Sequence, residues 1–511
     1  MVTWVKRPGL VWLVPVIVAA VALSVYARTL MPGIAFGDWG EMQTVAHVLG
    51  VAHPTGYPTY IVLAWLAELV PIGSIAFRAN LLSAVLVAAA LAIVALISVR
   101  LGVRPIIAGG SALALGVIGT VWAAATVAEV NPLHLLLTGL IIHRALVWED
   151  RRATSDLVLG GLLVGLALGN HLLTVFVAPF VAVFVLWTGR REILARPWIL
   201  VPAAAAGLLG LAVYLYIPLA AGQSPPLPYN DPVTLDGVLW LVSGTQFRGQ
   251  FDFLSADGPG ESLAALPALW ALVADRATPI LPILGLVGIA ILVRTRTAFG
   301  LMCAAILLCD VYVWANYLQL EHYLLVPWLV LAIGTSVSLE WVAAAVTRRW
   351  GRVAGRDVGA LIGLAALLFA LALGSRNWSA SDRSGDRSGQ AYVDAVFGAL
   401  PKDAAILSYW DASTPLWHGR FVQASRPDVL VVDDTNIAYE GWGSRERRIA
   451  ALICQRPVFI LRLDERDLAP TRQAFRLEPF MTVRVAGGGP SAVVQRPIYR
   501  VQPLDPATCG G

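Results

Sequence analysis

Side chains that could carry out acid–base chemistry are concentrated early in the chain, among long apolar runs. Asp38 and Glu41 lie three residues apart, and His53 follows in the same stretch. A carboxylate or an imidazole can accept a proton from a hydroxyl group, and two close carboxylates could also hold a divalent cation. The structural alternative is that the Asp-x-x-Glu pair starts a helix and that the histidine is a cap or an interface anchor.

Further polar residues recur at intervals between the apolar runs. They are Tyr57, Arg78, Glu129, Asn131, Asn170, His171, Asn230, Asp231, Gln246, Arg248, Glu321 and His322. Each of them is weak evidence alone, because single polar residues at the ends of helices usually serve as caps or turns. Whether they form one site depends on the elements that position them.

The composition is that of an integral membrane protein. Of the 511 residues, 58% are hydrophobic and 14% are charged, and the mean hydropathy is +0.71. Soluble chains carry about 25% charged residues. The net charge of +4 gives no indication of nucleic-acid binding, which requires a clustered basic face.

Apolar runs long enough to cross a bilayer recur about eleven times. They are residues 9–29, 80–99, 105–127, 132–148, 155–170, 172–188, 198–219, 278–294, 298–315, 322–343 and 357–374. A membrane helix needs about 20 such residues. The first run could pass for a signal peptide, but it exceeds the usual apolar region of about 7–15 residues. We interpret it as an uncleaved first helix.

The arginines predict the orientation of these helices. The loops assigned to the cytoplasm carry Lys6, Arg7, Arg100, Arg104, Arg144, Arg151, Arg152, Arg190, Arg191, Arg196, Arg294, Arg296, Arg348, Arg349, Arg352 and Arg356. The short loops near Glu129, Asn170 and Gln319 carry no lysine or arginine. By the positive-inside rule the N-terminus is cytoplasmic and residues 375–511 lie outside. This predicts a multi-pass protein of the cytoplasmic (inner) membrane.

This orientation places the polar residues on one face. Two long outside loops are predicted, 30–79 and 220–277, and the apolar segment Tyr57–Val70 is too short to span the bilayer. Polar groups supplied by many helices at one membrane face indicate a water-filled cavity that opens outward. Asp310 differs because it lies within a span. It is either a functional residue or an acid paired with a Tyr, Trp or Arg of a neighbouring helix.

The predicted tail has a separate composition. A membrane part, 1–374, is followed by a polar linker, 375–390, and a small extracytoplasmic α/β domain, 391–511. Its strands are predicted at Ala404–Ser408, Val429–Val432 and Val458–Leu461, with a helix near Ser444–Cys454. Asp411 is expected to cap a helix, with a catalytic role as the alternative. Cys454 and Cys509 could form a disulfide in an oxidising compartment, whereas Cys303 and Cys309 are interpreted as packing residues.

Several of these residues fall in short motifs that follow one another along the chain. They are Gly37-Asp38-Trp39-Gly40-Glu41, His53-Pro54-Thr55-Gly56-Tyr57-Pro58, Arg78-Ala79-Asn80-Leu81-Leu82-Ser83, Ala128-Glu129-Val130-Asn131, Gly169-Asn170-His171-Leu172, Asn230-Asp231-Pro232, Ser243-Gly244-Thr245-Gln246-Phe247-Arg248, Glu321-His322-Tyr323 and, in the tail, Trp410-Asp411-Ala412-Ser413-Thr414-Pro415-Leu416-Trp417. The ordered set resembles the GT-C superfamily of membrane glycosyltransferases and, within it, the protein O-mannosyltransferase-like family. Trp39, Thr55 and Asn131 depart from the family pattern, which leaves the sugar open.

The resemblance implies a fold and a reaction. The fold is mainly α, a GT-C-like bundle with a small tail domain. The implied reaction is an inverting transfer of a sugar, mannose being the sugar that the family name gives, from a polyprenyl-phosphate donor to a hydroxyl of a protein, glycan or lipid acceptor. The implied catalytic base is Asp38, with Glu41 second. The donor phosphate is assigned to Arg78, Arg248 and His171, and the substrates to His53, Tyr57, Glu129, Asn170, Gln246, Glu321 and His322. No metal site or cofactor is required.

Two other functions compete with this one. A transporter or lipid flippase would show internal repeats and broken polar helices near the membrane midplane, and Asp310 is the main feature in its favour. A non-enzymatic anchor for the tail domain would not need so many spans with acids and histidines at their outer ends.

Overall fold

The helices and strands follow from the apolar runs of the sequence. A computed structural model of the protein describes residues 8–250, 260, 263–317, 319–350, 357–437, 440–486 and 493–505. The α-helices of the N-terminal part are α1 Pro8–Thr29, α2 Gly37–Val45, α3 Pro58–Glu68, α4 Ile75–Arg100, α5 Pro105–Gly116, α6 Gly119–Ala125, α7 Asn131–Arg151, α8 Thr154–Leu168, α9 Ala178–Thr188, α10 Arg190–Ala195, α11 Leu200–Leu211, α12 Tyr216–Ala221, α13 Leu235–Val242, α14 Leu266–Arg276, α15 Ile280–Thr295, α16 Thr297–Ala315, α17 Leu325–Trp350 and α18 Val358–Ser381. Short 3₁₀ helices occur at Leu172–Phe176, Pro197–Ile199, Ala212–Leu215, Thr245–Gln250 and Glu321–Leu324.

The protein is a multi-pass membrane protein, and helices lie at every predicted span. Within the described residues, 6 helices are long and apolar enough to cross a membrane, or up to 8 if each bent pair is one span. The bent pairs are α5 with α6, at 74°, and α14 with α15, at 111°. Two further apolar helices, Thr154–Leu168 and Leu172–Thr188, are shorter. The number eleven therefore stays a prediction.

Neighbouring membrane helices approach closely through glycine. A β-carbon added at Gly288 in α15 would overlap the carbonyl oxygen of Gly334 in α17. Small residues at such crossings let the two backbones touch, and this contact holds helices together where lipid removes the hydrophobic driving force.

The two ends of the bundle differ in chemistry. At one end, the arginine-rich end, Arg100 pairs with Asp150 at 2.8 Å, and Arg104 pairs with Glu340 at 2.5 Å. At the other end, which we call the cavity end, residues 30–74 connect α1 to α4. That segment contains α2 and α3, and the predicted apolar stretch Tyr57–Val70 forms the short helix α3 there.

The tail is an α/β domain, as the sequence predicts. Its helices are α19 Ser388–Ala399, α20 Trp410–Trp417, α21 Arg445–Ile453 and α22 Ala469–Ala474, with a π-helical turn at His418–Val422 and a 3₁₀ turn at Glu465–Leu468. Its strands are β1 Ala405–Ser408, β2 Leu430–Asp433, β3 Val458–Leu461, β4 Phe475–Ala486 and β5 Val493–Pro503. The sheet order is β2-β1-β3-β5-β4. Strands β1, β2 and β3 are parallel, and β5 runs antiparallel to both β3 and β4. The long hairpin of β4 and β5 was not predicted.

The tail domain sits on the cavity end. Ile34, Phe36 and Leu227 of the membrane part pack into the core of the tail domain, with Tyr392 and Trp417 among its members. The tail domain is thus fixed directly over the polar end of the bundle.

The predicted linker is largely helical. Helix α18 continues to Ser381, and α19 already begins at Ser388. Polar residues in the last turns of α18 serve as anchors: Arg376 donates to the carbonyl oxygens of Ala274, Asp275 and Ala277 at 2.5–2.9 Å. The polar residues that predicted a linker therefore belong in part to the end of α18, which docks on the backbone of a neighbouring helix. Only residues 382–387 connect α18 to α19.

The cysteines divide between the two parts. Cys303 and Cys309 in α16 are free thiols, whereas Cys454 in the tail is disulfide-bonded. Cys509 lies outside the described residues. A disulfide in the tail agrees with its predicted placement in an oxidising compartment.

Candidate functional site

A cavity of about 710 Å³ opens at the cavity end of the bundle. Eight of the predicted site residues line this first cavity: Asp38, His53, Tyr57, Glu129, His171, Gln246, Arg248 and His322. They come from six separate stretches of the chain. Its volume lies in the range of about 300–1,000 Å³ that is usual for ligand pockets.

Asp38 reaches the cavity from the first turn of α2. Gly37, with φ of +61°, turns the chain into the helix, and the exposed Asp38 side chain lines the cavity. Its Oδ1 accepts a hydrogen bond of 2.7 Å from Nε1 of Trp410 in the tail domain. A donor on one oxygen orients the carboxylate and leaves lone pairs for a substrate hydroxyl.

Glu41, one turn later, is held inside the protein by His53. Its Oε1 accepts from the backbone N–H of His53 at 2.8 Å, and its Oε2 contacts the His53 Nδ1. Tyr57 donates its hydroxyl to the Pro54 carbonyl at 3.1 Å, so it accepts from His53 Nε2 at 3.1 Å. A doubly protonated His53 ring satisfies both of these contacts.

The electrostatic surroundings agree with this protonation state. Burial disfavours the charged imidazolium, but the carboxylates of Glu41, Asp38 and Glu129 outweigh it and raise the pKa of His53 to about 9. Burial also raises the pKa of Glu41, and the contacts with His53 oppose that rise. In the charged form of this pair, the positive ring of His53 lies at the wall of the cavity and the compensating charge of Glu41 lies behind it.

Glu129 is a fully bonded carboxylate at the cavity wall. Its Oε1 accepts from the backbone N–H of Val130 at 2.9 Å and from Asn131 Nδ2 at 3.0 Å. Its Oε2 accepts from Nε1 of Trp39 at 3.0 Å. Trp39 and Asn131, two of the residues that depart from the family pattern, thus act together on one acid.

His171 lies among aromatic rings. Its ring centroid is 5.8 Å from those of Tyr57 and Tyr323 and 5.6 Å from that of His134. The backbone N–H of Leu173 donates to its Nδ1 at 3.2 Å, so its proton is on Nε2. Burial, followed by the nearby histidines, lowers the pKa of His171 well below its ordinary value. His171 is therefore a neutral hydrogen-bond donor.

Arg248 supplies a positive charge to the first cavity. It is the one lysine or arginine among the described residues that line the cavity. Its side chain is exposed, and its Nη2 donates to Ser243 Oγ at 3.1 Å. Gln246, on the same 3₁₀ helix, accepts from the Tyr229 hydroxyl at 2.7 Å.

Four predicted site residues do not line the first cavity. Glu41 is engaged by His53 as described. Arg78 donates to the carbonyl oxygens of Glu68, Ile72 and Gly73 at 2.6–3.1 Å, which clamps the loop before α4. Asn170 is buried and donates to the Val130 carbonyl. Glu321 accepts from Thr120 at 2.6 Å and pairs with Arg276 at 3.0 Å.

Two further acids lie outside the first cavity. Asp411 is in the first turn of α20 and does not cap it, because its side chain pairs with Arg496 at 2.6 Å. Asp310 is buried in α16, its Oδ1 has no hydrogen-bond partner within the described residues, and it does not line the first cavity.

Other lining residues were not predicted as part of the site. Trp410 and Thr435 come from the tail, and the stacked rings of Tyr317 and Tyr323 lie 5.5 Å apart. Apolar side chains complete one wall: Leu172, Leu173, Val175, Phe176, Phe247 and Leu320. The aromatic Trp410 lay in a motif noted in the sequence, but nothing local indicated that it reaches Asp38.

No group of three or more His, Cys, Asp or Glu side chains suited to a metal ion occurs in the part of the chain that the structure describes. The two carboxylates of the Asp-x-x-Glu pair, which could together have held a cation, point to different environments: Asp38 lines the first cavity and Glu41 does not.

Comparison with known proteins gives the family context. Residues 38–194 match the family described as Protein O-mannosyl-transferase TMEM260 N-terminal domain. The resemblance predicted from the sequence is confirmed. A mouse protein named Protein O-mannosyl-transferase TMEM260 is 26% identical over 452 residues, which are 83% of this chain and 63% of the mouse protein. A Dictyostelium discoideum protein of the same name is 35% identical over 65 residues, 12% of this chain and 8% of that protein. The chain thus spans less than two thirds of the length of these relatives.

Solved structures establish the fold. ArnT from Cupriavidus metallidurans bound to undecaprenyl phosphate has a TM-score of 0.58 at 14% identity, covering 95% of this chain and 97% of that one. Archaeal oligosaccharyltransferase AglB from Archaeoglobus fulgidus, in complex with an inhibitory peptide and a dolichol-phosphate, has a TM-score of 0.55 at 11% identity, covering 90% and 70%. The chain therefore has the GT-C fold, as the sequence predicts.

Proposed function

We propose that this protein is an inverting glycosyltransferase that moves a sugar from a polyprenyl-phosphate donor to an acceptor hydroxyl. The observation that carries the proposal is the first cavity, where the Asp38 carboxylate and the Arg248 guanidinium line the same space. A base and a cation in one pocket match the two charges that develop in such a transfer. The arginine pattern of the loops supports an extracytoplasmic site in the cytoplasmic membrane.

Asp38 is assigned the role of base. The acceptor oxygen forms a bond to the anomeric carbon as the bond from that carbon to the phosphate oxygen breaks, which inverts the configuration. The hydroxyl proton passes to Asp38, and the electron pair leaves with the polyprenyl phosphate. Trp410 holds Oδ1 of Asp38 at 2.7 Å, so the indole orients the base while the second oxygen is left for the acceptor.

Arg248 and the donor Nε2–H of His171 are assigned to the leaving phosphate. An arginine fork can bind two phosphate oxygens at once. His53 adds positive charge without binding directly, because Glu41 and Tyr57 already occupy its ring nitrogens. The apolar wall at Leu172, Val175 and Phe176 suits the first isoprene units of the lipid.

The names of the relatives extend this proposal. The mouse relative is named a protein O-mannosyl-transferase, and the ArnT structure contains undecaprenyl phosphate. We therefore assign a polyprenyl-phosphate lipid as the donor carrier and propose mannose as the first sugar to test.

The decisive experiment is transfer from radiolabelled polyprenyl-phosphate sugars by the protein in membranes. Asp38→Asn keeps the shape and the contact with Trp410 but removes the base, and we expect a loss of about 10²–10⁴-fold in transfer rate. Asp236→Asn is the matched control, because Asp236 is an exposed acid at the start of α13 outside the first cavity. If Asp38→Asn transferred sugar at the wild-type rate while folded, the assignment of Asp38 would be wrong. If the wild type transferred no sugar from any donor, the proposed function itself would fail.

A further inference from the structure

A second cavity, of about 580 Å³, lies between the tail domain and the membrane part. Its tail wall includes all four residues of strand β2, Leu430–Asp433, and its opposite wall is the loop Pro226–Asp231. Trp410 and Tyr229 line this cavity and also the first one. The two cavities are therefore neighbours, divided by these two rings, whose centroids are 5.9 Å apart.

Strand β2 presents a free edge to this cavity. It is the outermost strand of the sheet and pairs only with β1 among the described strands. Successive side chains of a strand point to opposite faces. A cavity that is lined by four consecutive residues therefore runs along the edge of the strand.

The hydrogen-bond register identifies the groups at this edge. Leu430 donates its backbone N–H to Ala404, and Asp434 donates to Ser408, so these residues face β1. In a strand with period two, the backbone groups of Val431 and Asp433 face the other way. Neither amide has a hydrogen-bond partner within the described chain.

Side chains beside the edge also lack partners. Asp433 and Asn436 are 4% and 7% exposed and line the cavity. Oδ2 of Asp433 and Oδ1 of Asn436 accept no hydrogen bond in the described chain. Buried acceptors without partners cost free energy unless a ligand supplies donors. The indole of Trp417 adds an aromatic surface to the same cavity.

We infer that the β2 edge binds the acceptor as an extended polypeptide, which adds a strand beside Val431 and Asp433 and passes Trp410 toward Asp38. The inference rests on the proposed transfer to an acceptor hydroxyl. A sheet edge recognises backbone amides and carbonyls in a repeating ladder, and a glycan or a lipid has no such ladder. The serine or threonine hydroxyl of the polypeptide then enters the first cavity beyond the Trp410 ring.

The test measures peptide binding without donor, on the full-length protein in nanodiscs. The probes are a pool of fluorescein-labelled ten-residue peptides, each with one threonine, and binding is read by fluorescence anisotropy. The tightest peptide is then made in two N-methylated forms, with the methyl groups on even or on odd amides. An edge uses every second amide, so one form should bind more than tenfold more weakly and the other within about threefold of the parent.

A variant of the protein gives the complementary test. Val431→Pro removes the outward N–H without touching a bond to β1, and we expect at least a fivefold weaker binding of the parent peptide. Val431→Ala keeps the amide and should bind the parent peptide more tightly than Val431→Pro does. Melting temperatures establish that both variants fold. If Val431→Pro does not fold, the N-methylated pair still decides, because it leaves the protein unchanged.

Other outcomes overturn the inference in distinguishable ways. Peptide binding that does not saturate by millimolar concentration contradicts the inference that the β2 edge binds a polypeptide. Equal weakening of binding by the two N-methylated forms contradicts it as well. Saturable binding of an oligosaccharide in place of peptides also contradicts it. A protein that binds peptides with the expected alternation but transfers no sugar contradicts the proposed function and leaves the edge intact.

Discussion

The two ends of the helix bundle handle charge in opposite ways. At the arginine-rich end, Arg100, Arg104 and Arg296 are each paired with an acid at 2.5–2.8 Å. At the cavity end, the exposed side chains of Asp38 and Arg248 both line an open cavity. An ion pair that satisfies itself serves the fold, whereas a charge left facing a cavity is available to a ligand. This difference separates structural from functional charges more clearly than residue type does.

Apart from the loss of the base at Asp38, the largest effect should come from removing the cation of the cavity end. Arg248→Gln loses the charge that is proposed to stabilise the leaving phosphate, and we expect kcat/KM for sugar transfer to fall about 10³-fold. Arg294→Gln, an exposed arginine at the arginine-rich end, is the control and should transfer at the wild-type rate. Equal losses of kcat/KM in the two variants would contradict the distinction between the charges at the two ends of the bundle.

The buried pair at the cavity end should make stability depend on pH. The pKa of His53 is about 9 in the folded protein, above about 6.5 when unfolded. Its contribution is therefore fully present below pH 6.5 and is lost as the pH rises through 9, by roughly 3 kcal/mol. The melting temperature of the detergent-solubilised protein between pH 6 and 10 measures it.

Glu41→Gln is the control for that titration. Glutamine retains an acceptor for His53 but removes the charge that raises its pKa. We expect the variant to melt at a lower temperature at pH 7 and to lose less stability between pH 7 and 10. If the melting temperatures of the wild type and the variant changed in parallel with pH, the pair of Glu41 and His53 would not be the cause of the pH dependence.

A smaller effect is expected from the tail residue that orients the base. Trp410→Phe keeps an aromatic ring but loses the donor to Asp38, and hydrogen bonds to charged groups contribute about 1.5–3 kcal/mol. We expect kcat to fall by about tenfold or somewhat more with little change in KM for the donor, which identifies positioning rather than binding. Trp198 is an exposed tryptophan that does not line the first cavity, and Trp198→Phe should leave both constants unchanged.

The smallest effect belongs to the arginine-rich end. The side chains of Arg100 and Asp150 are 26% and 50% exposed, and pairs of this kind contribute about 0–1 kcal/mol. Arg100→Gln should shift the melting temperature by about 2 °C or less and leave transfer unchanged. A large loss of transfer would mean that the two ends are coupled.

Much of the fold follows directly from the sequence. Apolar length placed the helices, the arginines predicted which polar residues share an end, and three short apolar runs marked β1, β2 and β3. The hairpin of β4 and β5 was missed because its buried residues, such as Val483 and Val485, alternate with exposed ones such as Arg484 and form no continuous apolar run. The linker was predicted to begin too early, at residue 375, because a helix end with a charged residue such as Arg376 has the same polar composition as a linker.

The sequence predicted which residues line the first cavity better than it predicted the contacts that each of them makes. Asp38 and Glu41 look alike in sequence, but only the folded loop shows that His53 takes the second one. Arg78 and Arg248 are likewise equivalent until the carbonyl oxygens around Arg78 are in place. The contact between Trp410 and Asp38 joins residues 372 positions apart, and no local pattern can report a contact at that separation.

Trp410 lines both cavities, and its position therefore couples the binding of ligands in one cavity to binding in the other. A ligand in either cavity that shifts its indole changes the shape of the other cavity and the orientation of Asp38. Linkage then requires that donor and acceptor alter each other's dissociation constant by the same factor. With Trp410 and Tyr229 as the shared wall, the order in which the two substrates bind cannot change that factor, and the sign of their cooperativity is set by the rotamers of these two rings that each substrate prefers.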